Sequence, residues 1–233
     1  MAYLLKLNIA LVLFYAFYRL FFYKDTFFGW RRIALLSFFV ASAAVPLLNI
    51  QTWITEQEPM VAMADLYASV LLPEFTTTPV EATDWQGMFQ NYASMIYWGV
   101  VAFLVMRFFI QLISIIRLTY RCRKVRTGNS NIYLLPQAEG PFSFFYWIFI
   151  DQASHSEEEF NEILTHEQTH ARQWHSIDVM IGELTGIFCW FNPFVWLMKR
   201  EIRTNLEYMA DARVLEHGFD SKTYQYHLLG LSH

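Results

Sequence analysis

Two short polar motifs in a largely apolar chain could hold a metal ion and use it. The first is His166-Glu167-Gln168-Thr169-His170, the H-E-x-x-H pattern, in which residues four apart lie on one face of a helix. Both imidazoles can therefore reach one zinc ion (Zn2+), which also needs a third protein ligand and one open position. Glu167 would lie beside the metal as the general base that takes a proton from the attacking water.

The third ligand is expected downstream of this motif. The metzincin pattern fails, because the position that needs histidine is Ser176 and His175 comes one residue early. Glu207 is the better candidate, on a helix predicted over about residues 194–215. Asp211 lies four residues later on the same face, so Glu207 can bind the metal while Asp211 supports a ligand imidazole. Other polar candidates are expected to be surface or packing residues without a role: His175, Asp178, His217, His227 and His233.

Local signals predict the elements that must position these groups. Ser156 followed by Glu159 has capping-box spacing, which predicts a helix from Ser156 to about Trp174 that contains the H-E-x-x-H motif. Residues 132–135 and 142–150 read as short strands around turn residues, and together they predict a short β-hairpin. Such a hairpin could bind an extended substrate as an added strand or be purely structural, and the sequence leaves both open.

Three apolar stretches are long enough to cross a membrane, at about residues 4–22, 33–50 and 93–116. The loop 51–92 contains six acidic residues and no lysine or arginine, whereas basic clusters follow the first and third stretches. The positive-inside rule therefore places the amino terminus outside and the active site in the cytoplasm, as in a multi-pass protein of the bacterial inner membrane. Arg107, the one charge inside the third span, is expected to pack within the bundle.

The apolar segment 179–198 is predicted to enter the membrane without crossing it. Its length alone would suit a fourth span, but the two histidines precede it and Glu207 follows it. One zinc ion cannot be held from opposite faces of a bilayer, so both ends must return to the cytoplasmic side. Asn192-Pro193 marks the expected break. The alternative is a true span without ligation by Glu207.

These elements predict a mainly α-helical membrane protein with two parts. Residues 1–116 form three transmembrane helices, and residues 117–233 form a cytoplasmic gluzincin-like zinc-peptidase domain with a short β-hairpin. The net charge of −4 gives no electrostatic footprint for direct nucleic-acid binding. The two cysteines provide no disulfide framework.

The motifs carry a resemblance to a known family. The H-E-x-x-H helix, the apolar segment Trp190-Phe191-Asn192-Pro193-Phe194-Val195-Trp196 and the stretch Glu207-Tyr208-Met209-Ala210-Asp211-Ala212 occur in the order seen in the BlaR/MecR family of membrane sensor-transducer metallopeptidases. The three preceding spans fit the same layout, so the resemblance covers nearly the whole chain. It implies that His166, His170 and Glu207 are the zinc ligands and that Glu167 is the catalytic base.

The resemblance also implies a role in signalling. Family members in beta-lactam resistance carry a penicillin-binding sensor after a fourth span, and their protease inactivates a cytoplasmic repressor. This sequence contains no S-x-x-K sensor signature before His233, so a sensor or periplasmic domain beyond that residue is left open. The expected partners are a protein substrate such as a repressor and the lipid bilayer; a homodimer is left open.

Two further functions remain as alternatives. One is a housekeeping membrane metalloprotease of the CAAX-processing or quality-control type, which shares both motifs but usually has more spans between them. The other is a non-catalytic signal transducer that keeps the metal site only as a scaffold. The intact Glu167 argues against the transducer, because a protein without catalysis has no need of the base.

Overall fold

A computed structural model describes residues 2–48, 85–127, 130–135, 140–151 and 155–228, and these residues are mainly helical. Residues 128–129, most of the acidic loop and the last five residues lie outside the described residues. The helices are α1 (Ala2–Phe21), α2 (Phe28–Ala44, followed by the 3-10 turn Val45–Leu47), α3 (Trp85–Arg121), α4 (Glu157–Arg172), α5 (His175–Phe188), α6 (Pro193–Glu216) and α7 (Ser221–Leu228). The strands are β1 (Arg123–Thr127), β2 (Ser130–Leu134), β3 (Phe142–Phe144) and β4 (Trp147–Ile150).

Within the described part of the chain, three helical segments are long and apolar enough to cross a membrane, the same number as the candidate spans predicted from the sequence: Tyr3–Phe21, Phe28–Leu47 and Gly87–Arg121. Helices α1 and α2 run antiparallel. The Tyr3 hydroxyl near the start of α1 accordingly donates to the Ala43 carbonyl near the end of α2 at 2.9 Å. The second span begins five residues earlier than predicted and gives way to the 3-10 turn before residue 48. Pro46 in that turn cannot continue a helical hydrogen-bond pattern.

The third helix is longer than the predicted span 93–116. It continues to Arg121, and its last turns pack against the sheet rather than facing lipid. Ile115 and Leu118 lie against the buried strand residues Tyr133 and Phe149. Because a helix rises about 1.5 Å per residue, its 37 residues exceed what a bilayer core of about 30 Å requires. The sequence could not mark this boundary, since both environments favour the same apolar residues.

The predicted single hairpin is a four-stranded sheet with the order β1-β2-β4-β3. Strands β1 and β2 form one antiparallel hairpin, β3 and β4 form another, and β2 and β4 join them in parallel. The run 142–150 is divided because Phe145 adopts a positive φ of 51°, which turns the chain between β3 and β4. Strand β1 was not predicted because its basic residues resemble a juxtamembrane cluster, although such charges are typical of an edge strand.

Helices α5 and α6 form an antiparallel hairpin that packs against the first two spans. The chain reverses between Phe188 and Pro193, within the segment predicted to be re-entrant. The Asn192 side chain caps α6 by accepting from the Phe194 amide at 2.9 Å, and it also donates to the Asn8 side chain of α1 at 2.8 Å. The tip of the hairpin is thus fixed to the first span. One buried cluster joins the hairpin to α1 and α2 through Leu11, Leu35, Phe39, Met198, Ile202 and Leu206.

Candidate metal centre

Helix α4 presents the two histidines of the H-E-x-x-H motif on one face. Its start confirms the predicted capping box: the Glu159 amide donates to the Ser156 hydroxyl at 3.2 Å, and the Ser156 amide donates to the Glu159 carboxylate at 3.0 Å. Ten residues after the cap, His166 and His170 bring their Nε2 atoms within 3.1 Å of each other. The cap fixes where the helix begins, and the four-residue spacing then aligns both rings.

Glu207 comes from α6 and faces the same two rings. Its carboxylate oxygens lie 3.4 Å from His166 Nε2 and 3.8 Å from His170 Nε2. Four ligands around zinc at bond lengths of 2.0–2.1 Å are separated by about 3.3 Å from one another, which is the edge of the tetrahedron. The separation of the two Nε2 atoms and the distance from each of them to its nearer Glu207 oxygen run from 3.1 to 3.8 Å, and one donor atom of each residue falls within 4.8 Å of the others. Two imidazoles and a carboxylate are also a donor set that suits zinc.

Asp211 and Tyr224 hold His166 from behind. The Asp211 carboxylate lies 3.1 Å from His166 Nδ1 and accepts from the Tyr224 hydroxyl at 2.9 Å, and that hydroxyl is also 3.1 Å from Nδ1. A proton on Nδ1 that faces a carboxylate leaves the lone pair on Nε2, the atom that faces Glu207. Burial acts to lower the pKa of His166, but hydrogen bonds to Asp211 and Glu207 raise it to about 9. The surroundings of this ring therefore favour a positive charge.

A second chain of hydrogen bonds orients His170. The Gln173 side-chain oxygen is an acceptor 3.2 Å from His175 Nε2, so His175 Nε2 carries a proton and its Nδ1 accepts. His175 Nδ1 lies 2.8 Å from His170 Nδ1, which therefore donates and leaves the lone pair of His170 on Nε2. Burial, together with the neighbouring charge on His166, lowers the pKa of His170 to about 4. Burial likewise lowers the pKa of His175 to about 3, so both rings are neutral, as ligands and their supports must be.

His175 and Asp178 were expected to be surface or packing residues, and both are buried, so they are packing residues. The Arg32 guanidinium of α2 donates to Asp178 at 2.6 and 3.1 Å and to the Gln173 carbonyl at 2.7 Å. Trp174 between α4 and α5 has a positive φ of 59°, a conformation that is costly for a bulky residue and is held by these surrounding contacts. This turn folds His175 back beneath His170.

Glu167 is buried beside the two histidines, with only 6% of its surface exposed. Burial raises its pKa, while a hydrogen bond from the Ser143 hydroxyl of β3 opposes that rise. Glu167 lines a cavity of about 420 Å³, which we call the active-site cavity, together with His166, His170 and Glu207. Its other walls come from β3, α3 and α5. The cavity therefore places a buried carboxylate next to a candidate metal centre.

The sequence identified the ligand candidates but missed several supporting residues. His175 is the third histidine in a stretch of ten residues, and that density was a usable signal. Tyr224 and Ser143 lie 58 and 24 positions from the motif residues that they contact, and no local pattern marks them. Their role is visible only when α7 and β3 are folded against α4.

Comparison with known proteins agrees with the helical fold and the cluster of His166, His170 and Glu207. A search of curated proteins gave no match. The model of a family described as BlaR1 peptidase M56 matches residues 33–232, which is most of the chain and includes α2 to α7. That family consists of membrane-associated metallopeptidases. On this match, and with the three candidate spans and the histidine–glutamate cluster in place, the chain belongs to the M56 peptidase family.

Proposed function

We propose that the chain is a membrane-embedded zinc endopeptidase that cleaves a cytoplasmic or membrane-proximal protein. The observation that carries the proposal is the convergence of the donor atoms of His166, His170 and Glu207, within 4.8 Å of one another, beside the buried carboxylate of Glu167. A zinc ion bound by these residues would polarise the scissile carbonyl and lower the pKa of the attacking water. The remaining work of the reaction falls to side chains of the protein.

Glu167 acts as the general base. Its burial raises its affinity for a proton, so it can accept one from water and then deliver it to the leaving amine. The Ser143 hydroxyl fixes the carboxylate of Glu167 from the side of β3. The contacts at Nδ1 of His166 and His170 would keep both Nε2 atoms available to a bound zinc ion, so neither ring would have to reorganise during turnover.

The substrate backbone is expected to lie along β3. This strand is the last in the described sheet, it pairs only with β4 there, and its residues Phe142, Ser143 and Phe144 line the active-site cavity. An extended peptide can add to such an edge through backbone hydrogen bonds, which would place its scissile bond beside Glu167. Recognition through the backbone requires an unfolded or exposed segment, as in a linker of a repressor.

The experiment for this function measures metal content and cleavage separately. Wild-type protein purified in detergent should carry about one zinc per chain, whereas His166→Ala and Glu207→Ala should lose it. Glu167→Gln should keep the zinc but lose proteolysis, read as new protein amino termini in bacteria that express each variant. Glu158→Gln, which changes an exposed glutamate near the start of the same helix α4, is the matched control. A Glu167→Gln protein that produces the same new termini would refute the catalytic assignment.

The same experiment separates the alternatives. A non-catalytic transducer would produce no new amino termini in the wild type, although its zinc content would be unchanged. A housekeeping protease would cut many unrelated proteins under all growth conditions. A signal-regulated peptidase should instead produce a small set of cuts, including one in a transcriptional repressor, and only after an extracytoplasmic stimulus.

We also propose that the metal centre faces the cytoplasm of a bacterial inner-membrane protein. The support is the cluster of basic residues after α3, against six acidic and no basic residues between the second and third spans. A reporter fused after Gly218 should be active only in the cytoplasm. A cysteine at Thr77, which lies outside the described residues, should be labelled from outside intact cells. The opposite pattern would overturn this orientation.

A further inference from the structure

A second cavity, of about 540 Å³, lies between α3 and the α5–α6 hairpin, and its walls are strongly basic. Four cationic side chains line it together with one carboxylate, that of Glu183: Arg107, Lys199, Arg200 and Arg203. The side chains that line this basic cavity therefore carry a net formal charge of +3. A soluble partner does not explain this positive charge. Helix α3 is itself a candidate span, and the α5–α6 hairpin packs against the first two spans.

Two of the cations, Lys199 and Arg203, already form ion pairs within the protein. Lys199 Nζ lies 2.7 Å from one carboxylate oxygen of Glu183, and Arg203 Nη2 lies 2.6 Å from the other. The stem of Lys199 lies flat against Gly186, where a Cβ atom would come within 3.2 Å of Lys199 Cδ. The ammonium group also stands 4.4 Å above the Trp196 ring. The side of the cavity formed by α5 and α6 is thus built and rigid.

The other two cations, Arg107 and Arg200, have no such partner in the part of the chain that the structure describes. Among the described residues neither makes an ion pair or a hydrogen bond. Arg107 lies inside the third candidate span, where an unpaired charge is costly and must face a polar partner. The sequence predicted that Arg107 packs within the bundle, but its side chain is exposed and borders the cavity. A negatively charged group is the partner that this geometry lacks.

The basic cavity lies at the depth expected for lipid headgroups, on the same side of the bilayer as the β-sheet. Arg107 precedes Ile115, which packs on the sheet, by eight residues or about 12 Å of helix. Arg200 is adjacent to Glu201, which pairs with Arg19 and Arg31 at the ends of the first two spans. Both arginines therefore lie near the level where the spans leave the bilayer, and Trp196 beside them is typical of that level.

We propose that the basic cavity binds the phosphate of an anionic phospholipid. Arginine recognises phosphate through several parallel hydrogen bonds, and the cavity is lined by an arginine from each of two helices, Arg107 of α3 and Arg200 of α6. The lipid would also separate Arg107 from hydrocarbon. Four residues line both this cavity and the active-site cavity: Phe108, Gln111, Glu183 and Arg203. A bound headgroup would therefore form part of the wall beside the substrate, on its membrane side.

A lipid fits this cavity better than an acidic side chain of the substrate. On α3, α5 and α6 alike, the residues that line the basic cavity are centred one to two helical turns closer to the hairpin tip than those that line the active-site cavity. A substrate segment would have to leave the cytoplasm to reach it. A phospholipid is already present at that depth and can enter from the side between α3 and the hairpin.

The test uses the full chain in lipid nanodiscs and does not depend on zinc or on cleavage. Nanodiscs of phosphatidylcholine with a minor fraction of phosphatidylglycerol are analysed by native mass spectrometry for lipid retained on the protein. Wild type should retain one phosphatidylglycerol in preference to phosphatidylcholine. Arg107→Gln should reduce that retention about tenfold, since a hydrogen-bonded contact between charged groups contributes on that order. Arg200→Gln should act in the same direction, so a folding defect in one variant does not decide the outcome.

Arg117→Gln is the matched control, because Arg117 is an exposed arginine ten residues further along α3 and lies outside the basic cavity. It should retain phosphatidylglycerol like the wild type. Equal losses in Arg107→Gln and Arg117→Gln would mean general attraction to anionic lipid and would overturn the proposal. Inorganic phosphate that stabilises the protein in pure phosphatidylcholine as much as phosphatidylglycerol does would overturn the lipid assignment. Displacement of the lipid by a tetra-aspartate peptide would assign the cavity to substrate instead.

Discussion

Replacement of Asp211 by asparagine tests whether the residues behind His166 control metal binding. Asparagine keeps the size of the side chain but removes the charge that faces His166 Nδ1 at 3.1 Å. Its amide can also present an N–H to that nitrogen, which would move the ring proton to Nε2 and block ligation. Losing such a carboxylate behind a ligand histidine typically weakens metal binding 10–100-fold, or about 1.4–2.7 kcal/mol.

Tyr224→Phe provides the smaller, matched perturbation. It removes a single hydroxyl that donates to Asp211 at 2.9 Å and leaves the carboxylate in place. A neutral hydrogen bond contributes about 0.5–1.5 kcal/mol, so zinc affinity should fall only about two- to tenfold. The order of the two effects, with Asp211→Asn the larger, follows from the charge and does not depend on the absolute values.

The effect of Asp211→Asn should also depend on pH, with a definite sign. The carboxylates raise the pKa of His166 to about 9, so below that pH zinc must displace a proton from this ring. Asparagine lowers the affinity of His166 for a proton as well as its affinity for zinc. At neutral pH the easier displacement of the proton partly offsets the weaker binding of zinc. The ratio of wild-type to variant affinity should therefore widen as pH rises from about 6.5 to 8.

Competition with a chromogenic chelator at both pH values measures these affinities. The reasoning is refuted if Asp211→Asn binds zinc as tightly as the wild type at both values. It is equally refuted if Tyr224→Phe loses more affinity than Asp211→Asn, because the Tyr224 hydroxyl, which also lies 3.1 Å from His166 Nδ1, would then support the ring more than the Asp211 charge does.

Two stability predictions concern the contacts that join the helices. Arg32→Ala leaves Asp178 buried and unpaired, which should cost about 3 kcal/mol, the low end for a broken buried pair because Arg32 is partly exposed. Thermal unfolding in detergent should show a lowered Tm; an unchanged Tm would contradict the role given to this pair. Gly186→Leu forces a side chain against Lys199 and should cost about 1–3 kcal/mol, whereas Gly99→Leu, which meets no atom within 4 Å, should leave the Tm unchanged. Equal Tm values for the two leucine variants would contradict this packing.

Local chemistry explains the parts of the fold that the sequence predicted. The Ser156 cap gives the start of α4 because it depends only on residues three positions apart. Asn192-Pro193 predicts the break before α6 for the same reason, since proline is tolerated at the first helical position and asparagine caps it. The reversal of the chain at this break brings Glu207 back to the histidines of α4.

The parts that the sequence did not predict depend on distant partners. Strand β1 carries three basic residues among its five and gains its place only by pairing with β2. The turn at Phe145 requires a positive φ without glycine, and it is held by the Ser176 hydroxyl, which accepts from the Phe145 amide at 2.8 Å. Tyr224 reaches the metal centre from the last described helix. No short window of sequence contains both members of these contacts.

The membrane half of the chain also determines the geometry of the metal centre. Arg31 at the start of α2 contacts Glu201, six residues before the ligand Glu207 on α6, and the next residue, Arg32, holds Asp178 on α5. Helix α5 in turn carries His175, which orients His170. One helical turn of the second span therefore contacts both α5 and α6, the helices that carry His175 and Glu207. Because a misplacement of about 1 Å can reduce catalysis about 100-fold, the position of α2 in the bilayer is a condition for a competent centre.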